Sequence, residues 1–108
     1  MDSRLKSLID RLNAHNTVLG RARDVFLAKE AERKHFEASL VKTALGKSHA
    51  EKLINAQSSN EWLEFHVALA RLESIYEFRK LEHEILSKEW ISEHLSLKVD
   101  TETIRKQE

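Results

Sequence analysis

The chain is 108 residues long, with 18 Lys and Arg balanced by 18 Asp and Glu, two glycines, no proline and no cysteine. That length suits a single domain, and the missing cysteines exclude a disulfide-stapled scaffold, Cys-based zinc modules and thiol redox chemistry. Apolar residues at 41% are enough for a folded core, while neutrality removes the overall basic excess with which many nucleic-acid binders collect phosphates.

Charges at Asp2, Arg4, Lys6 and Asp10 leave no apolar core of the signal-peptide kind at the start. No uncharged apolar run approaches the roughly 18 residues of a membrane span. The expectation is a cytoplasmic protein with no membrane partner.

With no proline to interrupt them, helices can run long. From Leu5, positions seven apart read Leu5, Leu12, Leu19, Phe26, Arg33 and Leu40, and those three later read Leu8, His15, Ala22, Lys29, Phe36 and Thr43. Most are apolar, which is the spacing of a helix seam. A first long helix over 3–45 follows, with Asp2 or Ser3 as its cap and Gly46 as the left-handed residue past its end. Poor helix formers cluster at Asn13-Ala14-His15-Asn16-Thr17, ahead of Gly20. They predict a frayed or kinked stretch, or two helices with Thr17 capping the second.

In the connector Gly46-Lys47-Ser48-His49-Ala50-Glu51, Ser48 and Glu51 have the spacing that satisfies two orphan amides at a helix start. A short helix over 49–57 is expected. Ser58 and Glu61 repeat the spacing and announce a second long helix over 59–98, which contains neither Gly nor Pro. The polar segment 99–108 is expected to fray. Two long helices of matched length make an antiparallel helical hairpin the economical all-α arrangement, in one domain spanning 1–108.

The last helix carries two apolar faces. At 100° per residue, Trp62, Phe65, Leu69, Leu72, Tyr76, Leu86 and Trp90 share one side, and Leu63, Val67, Ala70, Phe78, Leu81 and Ile85 share another. The first helix can cover only one of them. The short helix spans about 12 Å, far less than six turns of exposed face. A second protomer is the preferred cover, giving a homo-oligomer, with a two-fold dimer the commonest symmetry and a helical bundle the result. Leu63, Val67, Phe78, Leu81 and Ile85 are then the dimer or partner interface. A compact three-helix monomer, broken near Asn13 to Thr17 and folded onto the second face, would give the same pattern.

Residues 1–50 hold ten Lys and Arg against six Asp and Glu, net +4, and residues 51–108 hold eight against twelve, net −4. A basic helix thus opposes an acidic one, which sets partner and orientation more than stability.

No motif carries chemistry. Gly46-Lys47-Ser48 matches the end of a phosphate-binding loop, but Val41 stands where that loop needs glycine. It reads as helix punctuation. No histidine pair has the i, i+3 or i, i+4 spacing of a helical metal site, and His83-Glu84 is followed by Ser87 where a second histidine would stand. His83 and His94 read as edge residues of the seam, and His35 and His66 as flanks. The pairs Glu73 with Glu77 and Glu89 with Glu93 read as solvated surface. No catalytic, cofactor or metal site is expected, and the chain reads as a non-enzyme. The alternative function is nucleic-acid binding through Arg21, Arg23, Lys29, Arg33 and Lys34, a series interleaved with Asp24, Glu30 and Glu32.

The Ala/Glu-rich first helix from Ala28, the connector at 46–51, the Ser-Asn-Glu-Trp start at 59–62 and the last helix through Leu86, Trp90 and Lys98 resemble small helical-hairpin accessory proteins of bacterial viruses, often encoded near recombination or replication genes. The resemblance runs from Ala28 to Ile104 and does not reach the segment before Gly20. It implies a protein that acts by binding a protein partner, in viral DNA recombination, replication or interference with a host factor. It assigns no functional residues.

Overall fold

The computed structural model describes residues 3–107, with side chains described over 3–96. The described residues form three helices, α1 (Ser3–Thr43), α2 (His49–Gln57) and α3 (Asn60–Gln107), and contain no strand. The all-α expectation holds, and its punctuation changes in detail.

α1 passes through Asn13 to Gly20 without a break. The weak propensity there amounts to a few tenths of a kcal/mol per residue. The seam residues on either side, Leu5 and Leu8 buried and Leu12 and Leu19 half-buried, supply the tertiary anchoring that such small deficits cannot oppose. Ser3 is itself helical, and Asp2 lies outside the described residues, so neither is seen as a cap.

α1 stops at Thr43, short of the expected end at 45. The Thr43 hydroxyl donates to the Ser39 carbonyl at 3.1 Å and Ala44 N–H donates to Val41 at 3.3 Å, closing the last turn locally. Gly46 is therefore not the residue that ends the helix. Its φ of 151° lies where L side chains rarely go, and a Cβ there would meet Glu51 Cβ and Lys52 N at 2.9 Å each. Glycine is needed because the connector passes against the start of α2.

The α2 cap is the expected one. Ser48 Oγ accepts from Glu51 N–H at 3.2 Å, while Glu51 Oε2 accepts from Lys47 N–H at 2.7 Å. At α3 the expected cap shifts by one residue. Ser58 closes α2, its N–H and hydroxyl both donating to Ile54 O, so Ser59 accepts from Trp62 N–H at 3.3 Å instead. At its other end α3 continues to Gln107, beyond the expected end at 98. Residues 99–107 contain no Gly or Pro, and their Glu, Arg, Lys and Gln are good helix formers.

The chain divides into two compact units, a terminal unit from Met1–Arg21 and Glu77–Glu108 and a connector unit from Ala22–Tyr76. In the connector unit Phe26 stacks on Tyr76 at 5.9 Å and Phe36 on Phe65 at 4.3 Å. Rising α1 numbers meet falling α3 numbers, so the helices are antiparallel within this unit. Phe65, Leu69 and Ala56 are its buried residues, and Lys29 Nζ sits 4.6 Å from the Phe65 ring centre. His66 bridges the helices, Nδ1 donating to the Trp62 carbonyl at 2.8 Å with Nε2 at 3.0 Å from Glu37 Oε1.

In the terminal unit Arg4 pairs with Glu93 at 3.2 Å, Arg11 with Glu89 at 3.8 Å, and His15 stacks on His83 at 5.7 Å. The order is again antiparallel. Leu5, Leu8 and His15 are buried.

Candidate interaction face on the third helix

Along α1 every position of the heptad seam is buried or half-buried except Thr43. The α3 residues of the first apolar face agree: Phe65 and Leu69 are buried, and Trp62, Leu72, Tyr76, Leu86 and Trp90 are half-buried. Ile75, beside this face, is exposed.

The second face is open in both units. In the connector unit Leu63 is 61% exposed and Val67 39%; in the terminal unit Phe78, Leu81 and Ile85 are 58%, 54% and 51% exposed. The short helix does not cover Leu63 or Val67. Its buried residue is Ala56, while Ile54 is exposed. Nor does the start of α1 fold onto Phe78 to Ile85, as the compact-monomer alternative required. Its seam residues Leu5, Leu8 and His15 are buried while that face stays in solvent. Scattered apolar side chains on a surface need no explanation. Three large ones at three- and four-residue spacing form a continuous stripe, the form of surface that marks interaction sites.

The basic series of α1 is divided between engaged and open side chains. Arg23 holds Asp24 at 3.3 Å, and Lys29 is half-buried over Phe65. Arg33 donates to Glu30 at 2.9 Å and lies 3.5 Å from Glu37. The hydrogen bond to Glu30 chiefly, then the charges of Glu30 and Glu37, raise the Arg33 pKa. Only Arg21 and Lys34 of the five stand exposed without such an engagement.

Several side chains with potential chemistry take part in ion pairs or caps. Glu89 and Glu93 take Arg11 and Arg4 across the helix pair, and Glu77 takes Lys80 at 3.5 Å. Lys47 N–H of the loop-like Gly46-Lys47-Ser48 is bonded to Glu51. Among the described residues no group of three or more His, Cys, Asp or Glu is placed to hold a metal ion. No described helix is long and apolar enough to cross a membrane.

Two features escaped the sequence reading. Asn55 Nδ2 donates to the Leu45 carbonyl at 2.5 Å and ties the connector to α2. His15 and His83 form a stacked pair with His15 Nε2 at 3.8 Å from Glu82 Oε1, too long for a hydrogen bond. A seam position on α1 and a seam-edge position on α3 are the available signals, but joining them needs the register between helices.

Comparison of the chain with protein-family models, with curated proteins and with solved structures gives no match.

Proposed function

We propose that the protein is a non-enzymatic helical interaction protein, an antiparallel hairpin that self-associates as a two-fold dimer through the outward face of α3. The observation that carries this reading is the exposure of Phe78, Leu81 and Ile85 on the side of α3 away from the buried seam. A contiguous exposed apolar stripe of this kind is often functional. A second copy presents an identical stripe, and a two-fold axis places each on the other. The resemblance to accessory proteins of bacterial viruses supports a binding role in DNA recombination, replication or interference with a host factor.

Light scattering over a concentration series tests the assembly. The expected mass is twice the 12.6 kDa of one chain, and Phe78→Glu with Leu81→Glu returns it to one chain with helicity retained, because both side chains are already in solvent in the single chain. A wild-type mass of one chain at every concentration would sink the proposal.

A further inference from the structure

We infer that the terminal unit is a strap that opens while the connector unit stays folded. The inference stands apart from whatever docks on the outward face of α3.

Four buried side-chain nitrogens lack a hydrogen-bond partner among the described residues: His15 Nδ1 and Nε2, His83 Nδ1 and Trp90 Nε1. All four belong to the terminal unit. A buried donor or acceptor loses its water bonds on closing and regains them on opening, so each such atom favours the open form. The cross-helix ion pairs of this unit do little to oppose that. Arg11 to Glu89 spans 3.8 Å with both side chains about half exposed, and the Arg4 side chain is largely in solvent. Solvated pairs of this kind contribute little. The connector unit, by contrast, is closed by phenyl stacking and by His66 Nε2, which lies 3.0 Å from Glu37 Oε1 on the facing helix.

Chain connectivity sets the order of opening. The connector unit is one continuous segment, Ala22–Tyr76, whereas the terminal unit joins two segments that this whole stretch separates. If the connector unit opened first, the terminal unit would have to hold closed a long disordered loop, with the entropy cost that implies. Opening the terminal unit first carries no such cost. It uncovers Leu5 and Leu8 on α1 and the half-buried Leu86 and Trp90 on α3, an apolar surface present only in the open form.

Native-state hydrogen exchange on the full chain, read by mass spectrometry, tests this. Amides over 8–20 and 79–95 are expected to exchange at least about tenfold faster than those over 26–42 and 64–75. Combining His15→Leu with His83→Leu removes three of the unpartnered nitrogens and keeps apolar side chains in the seam. It is expected to slow exchange in the terminal unit and leave the connector unit unchanged. Trp90→Phe removes the fourth alone and should act in the same direction. Equal exchange in the two units of the wild-type chain, or slower exchange in the terminal unit, would overturn the strap. Unaltered terminal-unit exchange in the double variant would overturn its polar seam as the cause.

Discussion

The connector unit closes its seam with Phe36 on Phe65 at 4.3 Å, whereas the terminal unit sets His15 on His83 at 5.7 Å between the same two helices. A phenyl pair contributes apolar area and a favourable ring geometry. An imidazole pair has similar shape but carries nitrogens that need partners once water is gone. One heptad repeat along α1 therefore produces two seams of unequal strength. Periodicity reports where a helix is covered, and side-chain chemistry decides how firmly.

The sharpest way to break this contrast is to remove the best phenyl. Phe65→Ala is expected to cost about 3–5 kcal/mol, because the buried ring is stacked on Phe36 and capped by Lys29. Thermal melts followed by circular dichroism should show loss of cooperative unfolding across the chain. A cost below about 1 kcal/mol would mean that the connector unit does not owe its strength to the aromatic layer. A smaller effect is expected at the connector itself. Gly46→Ala places a side chain at a φ of 151° and within 2.9 Å of Glu51 and Lys52, at about 1–3 kcal/mol. A melt unchanged by this substitution would show that the connector can relax without disturbing the helices it joins.

Much of this architecture was legible in the residues. The α1 seam, the α2 cap and the exposure of Phe78, Leu81 and Ile85 follow from helical spacing and capping chemistry, which depend on neighbours within a turn or two. The rest depends on burial against another helix, or on neighbouring elements that compete for the same residue. The kink expected at Asn13 to Thr17 is absent because apolar seam residues on both sides of it, Leu8 and Leu12 before and Leu19 after, are buried or half-buried, and local propensity does not register that burial. The α3 cap moved from Ser58 to Ser59 because Ser58 is already engaged in ending α2. Gly46 is required by its close approach to Glu51 and Lys52 and not by a left-handed helix end. The basic series of α1 shares its surface with acidic neighbours, Asp24, Glu30 and Glu37 pairing with Arg23 and Arg33, while Lys29 lies over Phe65.

The smallest expected effect concerns the terminal unit's outward stripe and separates a second copy from a different partner. With Phe78 and Ile85 as one seam position and Leu81 as the other, the flanking positions are Glu77 and Glu84 on one edge and Glu82 and Glu89 on the other. In an antiparallel pair each edge meets its like, and in a parallel pair the two edges meet each other. Either way glutamate faces glutamate. Glu82 is offset by Arg79 at 2.6 Å, Glu89 by Arg11 at 3.8 Å and Glu77 by Lys80 at 3.5 Å, which leaves Glu84 to feel the repulsion most. Salt shortens the reach of such charges from about 10 Å at 0.1 M to about 3 Å at 1 M. Self-association through this face should therefore tighten by a small factor, about two- to fivefold, between those concentrations, as measured by sedimentation equilibrium. An association that instead weakens with salt would place unlike charges across the interface, and the stripe would then fit a basic amphipathic helix of another protein better than a second copy of this chain.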